Sequence, residues 1–341
     1  MSFKTPHSTV RKRKIQRQSL LDTKKHKRHK KTVITPEIEG IFKGMLYKTW
    51  ICHSCSPLYN FRTDESSLRH YSQHLSAYLT SEIQKQDCFL SSEFSGGLTA
   101  QFSVVQGFAI QQDEPDAIKL HISYDEKKNP IEVYFLSVDV NPLEFSNPTA
   151  ENIRTIRLLK SGFYFLPIMI YNGYIQKPCS AVISWFEDNF DCVIRPVKFN
   201  PIDLSWMMSM WTSFKYIPSS KRKSFLTEFI WKIPVDNIGL DTIKFQIAPS
   251  STTEIWESMK ISENDEMTVE YVEKFMSAIT SHLKGMSGIK FDSLILEEIS
   301  TPFIRVQSSG KIKIGSAAHI LTVLAHLCCL SSERIYSAVE S

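Results

Sequence analysis

The 341-residue chain lacks any apolar run long enough to cross a membrane, and its first residues lack the apolar core of a secretion signal. A membrane helix needs about 20 apolar residues, whereas the longest apolar stretch here covers residues 163–170. We therefore expect neither a membrane-spanning nor a secreted protein. Seven cysteines, an odd number without regular spacing, favour free thiols in a reducing compartment.

The sequence also lacks the local motifs of the common catalytic sites. It contains no glycine-rich phosphate loop followed by lysine, no dinucleotide-binding fingerprint and no nucleophile elbow. Glu297 and Glu298 are adjacent in a predicted strand, so their side chains should point to opposite faces. Cys328 and Cys329 lie in an apolar predicted helix, where thiols are inert. We predict that the protein is not an enzyme and uses no cofactor.

One Cys/His pattern is close to that of a zinc finger, since Cys52-x-x-Cys55 precedes His70-x-x-x-His74. Zinc needs four ligands that converge as a tetrahedron, but the gap between the pairs is about two residues longer than in the usual finger. The segment between the pairs also lacks a hairpin turn. We therefore expect the cysteines in the core, the histidines on a helix surface, and no metal.

The positive charge is concentrated in residues 1–36, which hold twelve Lys/Arg residues and one acid, a net charge of +11. The remaining chain has 28 basic and 35 acidic residues, because the totals are 40 and 36. Dense like charge with few apolar residues predicts a disordered tail. Its cations form two clusters, as in a bipartite nuclear import signal: Arg11, Lys12, Arg13 and Lys14, then Lys24, Lys25, Lys27, Arg28, Lys30 and Lys31. A generic solubilising tail is the alternative, and loose contact with phosphates is compatible with import.

Residues 37–341 show the patterns of a folded α+β domain. Three strands are predicted at 98–105, 117–124 and 131–138, with turn sequences between them, and apolar and polar residues alternate in the second. Separate helices are predicted at 65–84, 149–160, 180–190, 251–260, 267–286 and 316–330. We therefore predict a curved, mostly antiparallel β-sheet flanked by helices, in two lobes of approximately 37–200 and 201–341.

Residues 200–216 are predicted to form the central helix of the fold. Asn200 is a suitable N-cap, Pro201 suits the first helical position, and Asp203 suits the positive end of the helix dipole. Met and Trp side chains fill one arc of the helix, whereas the other arc has serine and threonine in place of charge. We expect a core helix packed on both sides, with a Met/Trp ligand site as the alternative.

Three basic groups of the folded part are candidates for contact with the DNA backbone, because phosphate contact requires only cations within reach. The usual fate of such charges is a solvated surface, so they act together only if they line one groove. The candidates are Arg154, Arg157 and Lys160 on a helix, Lys221, Arg222 and Lys223 in a loop, and Lys311 and Lys313 on one face of a strand.

Several segments, taken in order, resemble the centromere protein L family. The best of them is DLSWMMSMWTSFK at 203–215. Others are Trp50 with SPLYNF at 56–61, WFEDNFDC at 185–192, TEFIWKIP at 227–234, and GKIKI at 310–314 followed by the last helix. The resemblance covers roughly 45–335. Its specificity lies in the order of the segments, since each one is structural.

The resemblance implies a non-enzymatic structural subunit of the inner kinetochore, located at centromeres in the nucleus. It implies a heterodimer with centromere protein N, formed largely by the C-terminal part of the chain. It also implies contacts with centromere protein C, other inner-kinetochore subunits and centromeric nucleosomes with their linker DNA, in support of chromosome segregation in mitosis. The alternative is a stand-alone DNA-binding protein that acts through its basic tail or a zinc-finger-like site.

For the partner interface we predict one strand over residues 303–314. Because apolar and polar residues alternate along it, this strand could extend a partner's sheet through backbone pairing at Ile304, Val306, Ile312 and Ile314. Lys311 and Lys313 would then either flank that seam or face DNA. More generally, the heterodimer predicts an exposed strand edge or apolar surface near the C-terminus that a partner covers.

Overall fold

The computed structural model describes residues 36–86, 98–110, 114–123, 130–138, 162–172, 176–212, 214, 226–234, 239–259 and 267–339. Seven α-helices lie within these residues: α1 (Pro36–Met45), α2 (Glu65–Gln86), α3 (Gln176–Phe190), α4 (Pro201–Thr212), α5 (Pro249–Met259), α6 (Val269–Ser287) and α7 (Ile320–Val339), the last preceded by a 3-10 turn at Ala317–His319. None of these described helices is both long and apolar enough to cross a membrane.

The strands of the first half are β1 (Thr49–Cys55), β2 (Leu58–Tyr59), β3 (Thr99–Val105), β4 (Ala117–Ser123), β5 (Ile131–Leu136), β6 (Phe163–Tyr164), β7 (Ile168–Asn172) and β8 (Ile194–Pro196). Those of the second half are β9 (Thr227–Lys232), β10 (Thr242–Ile247), β11 (Ile295–Ser300), β12 (Ile304–Gln307) and β13 (Lys311–Ile314). The three-stranded meander predicted from the alternating pattern is confirmed as β3, β4 and β5.

Eleven strands form one antiparallel sheet in the order β10-β9-β11-β12-β13-β1-β7-β5-β4-β3, with β8 beside β1. Strands from the two halves of the chain meet between β1 and β13, where Trp50 lies opposite Ile312. The remaining two strands, β2 and β6, pair separately. A large antiparallel sheet with separate helices confirms the predicted α+β class. The lobe boundary near residue 200 stays a prediction.

The two faces of the sheet carry different cores. We call face 1 the side that bears Trp50 and Cys52, and face 2 the side that bears Cys55. The larger core lies on face 1 and includes side chains of α1 and of α4 to α7. The smaller core lies on face 2 of the first-half strands, under α2 and α3. In β5, Tyr134 enters the first core and Phe135 the second, as the alternation of a strand requires.

Helix α4 begins where the sequence predicts and is shorter than predicted. The side chain of Asn200 accepts from the backbone N–H of Asp203 at 2.8 Å, and the Asn200 N–H donates to the Asp203 carboxylate at 3.0 Å. This reciprocal cap satisfies two free donors of the first turn. Ser209 and Thr212 are buried, and their hydroxyls donate to carbonyls of the preceding turn. The predicted packing on both sides is therefore confirmed, and Met207 and Trp211 lie in the larger core.

The strand predicted over residues 303–314 is a hairpin of β12 and β13 instead. The chain reverses between them, and the Gly310 N–H donates to the carbonyl of Gln307. Gly310 has a φ of +85°, a conformation that glycine adopts without steric cost. The longest apolar stretch of the sequence, 163–170, is also divided between two strands, β6 and β7. In both cases a continuous apolar period hid a turn or a break in pairing.

Candidate interaction face

Face 2 of the second-half strands is exposed, in contrast to the covered first half. The smaller core takes no side chain from β9 to β13, and burial alternates with exposure along β12 and β13. We call this surface the open face. Its side chains are polar or charged apart from Ile230 and the exposed Ile295. They comprise Glu228, Ile230, Lys232, Thr242, Lys244, Gln246, Ile295, Glu298, Ser300, Arg305, Gln307, Lys311 and Lys313.

Three cations lie together at the β12–β13 side of the open face. Lys313 is directly opposite Arg305 across β12 and β13, and Thr49 of β1 lies opposite Lys313 on the other side. Lys311 precedes Lys313 by two residues in β13, so it lies on the same face, and it is opposite Ile51 of β1. Side chains at opposed positions have Cβ atoms about 4.5–5.5 Å apart. The fold therefore brings Lys311 and Lys313 beside a third cation, Arg305, that sequence reasoning missed although it follows the same alternation.

Two carboxylates neutralise the centre of the open face. Arg305 is paired with Glu228 at 2.6 Å and with Glu298 at 3.1 Å, and Lys244 is paired with Glu228 at 2.8 Å. Burial alone would raise the pKa of Glu228, but hydrogen bonds from Lys244 and Gln246 and the charges of Lys244 and Arg305 hold that pKa below its usual value. Glu228 therefore stays ionised at neutral pH and holds both cations.

Lys311 and Lys313 are exposed, and neither forms an ion pair with any residue that the structure describes. A further exposed cation, Lys198, belongs to the segment that follows β8. The Phe199 N–H beside it donates to the carbonyl of Ser308 in the β12–β13 turn. Val197 and Phe199 enter the larger core, whereas Lys198 between them is exposed. In the sequence, the apolar residues Val197 and Phe199 on either side of Lys198 were the signal that Lys198 is exposed.

The other predicted basic groups lie outside the described residues. These are Arg154, Arg157 and Lys160, Lys221, Arg222 and Lys223, and all ten cations of the import signal between Arg11 and Lys31. Whether they join the open face stays a prediction.

The partner-binding mode predicted for Ile304, Val306, Ile312 and Ile314 is wrong. Strand β12 is paired with β11 and β13, and β13 is paired with β12 and β1. Both sides of each strand are therefore occupied by the chain itself, and a partner's strand cannot pair there. The four side chains are buried in the larger core. Since local periodicity does not distinguish an edge strand from an inner one, only the tertiary pairing revealed this.

The Cys52-x-x-Cys55 pair is confirmed as part of the core. In a strand, residues three apart point to opposite faces: Cys52 enters the larger core and Cys55 the smaller one. A hydrogen bond with Cys192, together with burial, raises the pKa of the Cys55 thiol, and burial raises that of Cys52. Among the described residues, no three His, Cys, Asp or Glu side chains are grouped as metal ligands.

His70 and His74 are exposed on α2, as predicted. Their rings stack at 6.2 Å, and His74 Nδ1 accepts from the indole N–H of Trp185 at 3.1 Å. This contact ties α2 to α3 above the smaller core. His74 therefore has a structural role in the contact between α2 and α3.

The fold and the open face together define an α+β protein built around one large antiparallel sheet, half of which presents a charged surface. The chain belongs to the centromere protein L family, whose profile matches residues 44–332. It is 28% identical over 303 residues to centromere protein L of Bos taurus, which covers 86% of this chain and 81% of that protein. It is 28% identical over 306 residues to the Homo sapiens protein, covering 85% and 80%. Identity to the Gallus gallus protein is 26% over 301 residues, covering 85% and 80%.

Proposed function

We propose that this chain is a non-enzymatic structural subunit of the inner kinetochore, located at centromeres in the nucleus. Membership of the centromere protein L family over residues 44–332 is the observation that carries the proposal. The chain acts as a heterodimer with centromere protein N and contacts centromere protein C and neighbouring subunits. The pair helps to assemble the kinetochore on centromeric nucleosomes and supports chromosome segregation.

The arrangement of the open face supports a DNA-proximal role within that complex. Lys311 and Lys313 are exposed on the open face, and Lys198 is exposed in the segment bonded to the β12–β13 turn, while Arg305 is held by two carboxylates. Cations without acidic partners are the groups that contact phosphates, and such contacts position a protein without reading sequence. The three lysines therefore track a backbone, whereas base recognition would need side chains placed in a groove.

The heterodimer is tested by co-expression with centromere protein N followed by size-exclusion chromatography with light scattering. We expect a one-to-one complex, and we expect a tagged chain to mark centromeres in dividing cells. A chain that elutes as a stable monomer in the presence of centromere protein N, and that gives no centromeric signal, would contradict the proposal.

The role of the open face is tested by the double variant Lys311→Glu with Lys313→Glu within the heterodimer. Each lost phosphate contact lowers the slope of log K against log salt by about 0.9, so the double variant should lower it by about 2 and weaken DNA binding. The matched control is Lys274→Glu with Lys284→Glu, two exposed lysines of α6, which covers face 1. Both pairs should leave the heterodimer intact. An equal loss of DNA affinity in both double variants would show a general effect of charge and would contradict a DNA-binding site on the open face.

The charge of +11 in residues 1–36 favours one second candidate, a DNA-binding protein that acts alone through its tail. Deletion of residues 1–36 from the isolated chain separates the two functions. Complete loss of DNA binding with a steep salt dependence, together with normal centromere protein N binding, would support the tail as the DNA site. The zinc-finger version is opposed by Cys52 and Cys55, which point to opposite faces of β1.

A further inference from the structure

The turn between β12 and β13 carries an exposed serine, Ser309, at its tip. The backbone on both sides of this serine is fixed by hydrogen bonds. The Ser308 N–H donates to the carbonyl of Glu297 at 2.7 Å, and the Gly310 N–H donates to the carbonyl of Gln307 at 3.0 Å. The sheet therefore holds Ser309 in a constant position, while its side chain reaches the solvent.

The hydroxyl of Ser309 lies on the open-face side of this turn. It donates to Oε1 of Gln307 at 3.4 Å, and the side-chain amide of Gln307 donates to the carboxylate of Glu298 at 2.7 Å. Gln307 and Glu298 both belong to the open face, and Arg305 already pairs with Glu298 at 3.1 Å. Since a hydroxyl donor usually lies about 2.7–2.8 Å from its acceptor, the bond of Ser309 is weak. The hydroxyl is therefore accessible to an enzyme.

Ser309 lies within a local excess of positive charge. Lys311 and Lys313 follow it by two and four residues on the open face, and both are exposed without an acidic partner in the part of the chain that the structure describes. Lys198 is exposed in the segment that is hydrogen-bonded to the same turn. A phosphate group on Ser309 would therefore add negative charge at the lysines that we assign to DNA contact.

The residues after Ser309 favour one class of protein kinase, because kinases select substrates partly by charge pattern. Gly310 follows the serine, so a kinase that requires proline at that position does not fit. Lys311 and Lys313 oppose a kinase that requires acidic residues there, and they suit a basophilic kinase with an acidic substrate groove. In the reaction with Mg-ATP, the Ser309 hydroxyl oxygen bonds to the γ-phosphorus and the bond from that phosphorus to the bridging oxygen breaks. ADP leaves, and the hydroxyl proton passes to the catalytic base of the kinase.

We propose that Ser309 is a phosphorylation site for a basophilic serine kinase, and that its phosphate releases the open face from DNA. The inference rests on the proposed DNA-proximal role and adds its regulation. A phosphoserine carries a charge of about −1.5 to −2 at pH 7 and three strong acceptor oxygens. It pairs with Lys311 and Lys313 and repels the DNA phosphates, so these two lysines no longer contact the backbone.

The test uses the heterodimer with phosphoserine installed at position 309 during translation, so that the result does not depend on the choice of kinase. We expect DNA binding at least about tenfold weaker, and a slope of log K against log salt lower by about 2, because two phosphate contacts are lost. Ser309→Gln, a neutral control of similar length, should bind DNA as wild type. Phosphoserine at position 277, an exposed serine of α6, is the charge control and should keep the wild-type slope. An equal loss with that control would overturn the proposal.

Mass spectrometry of the chain isolated from dividing cells shows whether the site is used. Trypsin cleaves after Arg305 and Lys311, so Ser308 and Ser309 fall in one peptide, and its fragments distinguish the two serines. We expect the phosphate on Ser309. Phosphate on Ser308 alone, or on neither serine at any stage of the cell cycle, would overturn the modification site and leave the proposed function intact.

The double variant Lys311→Glu with Lys313→Glu separates failure of the switch from failure of the proposed function. If that variant weakens DNA binding but phosphoserine at position 309 does not, the switch is wrong and the DNA-proximal role stands. If neither change weakens DNA binding while the heterodimer forms, the DNA-proximal role itself fails, and the proposed switch fails with it.

Discussion

Arg334 of α7 donates to the carboxylate of Asp203 at 2.6 Å, and so joins the last helix to the first turn of α4. The guanidinium also lies 5.6 Å from the centre of the Phe199 ring. Asp203 accepts from the N–H of Asn200 as well, so one carboxylate fixes the entry into α4 and the position of α7. Both helices contribute to the larger core on face 1.

We predict that Arg334→Ala lowers the free energy of unfolding by about 1.5–3 kcal/mol, the usual range for a hydrogen bond to a charged group. The measurement is urea unfolding of the chain in its complex. Arg195→Ala is the control, because Arg195 pairs with Glu187 at a more exposed site, where ion pairs contribute about 0–1 kcal/mol. Equal losses for the two variants would refute a special role for the Arg334 contact.

Gly310 should tolerate no side chain. A Cβ there would overlap the carbonyl oxygen of Val197, and the φ of +85° already disfavours other residues. We expect Gly310→Ala to cost about 3 kcal/mol or more and to displace the β12–β13 turn from the Val197 segment. Gly162→Ala is the matched control: its φ is +96° but no atom of the described part of the chain lies within 4 Å of the added Cβ, so backbone strain of about 1–2 kcal/mol is the expected cost. A smaller loss at Gly310 than at Gly162 would contradict the predicted overlap.

Helix α2 covers the outer edge of β3: the hydroxyls of Ser76 and Ser72 accept from the backbone N–H groups of Ala100 and Phe102. Ser72→Ala and Ser76→Ala each leave a buried backbone N–H of β3 without its acceptor, at a cost of about 1–3 kcal/mol. The double variant should also aggregate on heating, because its edge is no longer satisfied. Ser81→Ala is the control, since that hydroxyl bonds within α2, to the carbonyl of Tyr78. The hypothesis fails if the melting temperature and light scattering of the double variant match those of the control.

His53 should make the fold sensitive to mild acid. The side chain is buried, its Nδ1 has no hydrogen-bond partner among the residues that the structure describes, and burial lowers its pKa below the ordinary 6.5. A lowered pKa means that the unfolded chain binds the proton first, so stability is complete above about pH 6.5 and falls as pH falls through the folded value. His53→Phe should lose less stability than wild type between pH 6.5 and 5, as measured by urea unfolding at each pH. Burial also lowers the pKa of His319. His319 therefore contributes to the loss of stability in acid as well, and the His53→Phe variant retains that contribution.

Much of the fold could be read locally. The alternation of Ile312 and Ile314 with Lys311 and Lys313 predicted which side chains are buried and which are exposed. The cap at Asn200 predicted the start of α4, and the order of short segments predicted the family. Each of these signals depends on residues close together in the chain, where helix and strand geometry fixes direction.

The candidate site depended on contacts between residues far apart in the sequence. The same period that identified Lys311 and Lys313 suggested that their strand was free to pair, but β1 and β12 already occupy its two sides. The CxxC spacing left a zinc-finger-like site open as an alternative, and β1 opposes it by placing the two thiols in opposite cores.

The amino-acid sequence by itself determined the basic tail, the α+β class, the family and the polarity of the two faces of β13, because composition and short-range periodicity decide these properties. The tertiary structure alone decided which strands are inner and which are edges. It bonded the segment of Lys198 to the β12–β13 turn and closed β3 with two serines of α2. Strand order is set by long-range pairing, and no local pattern carries that information.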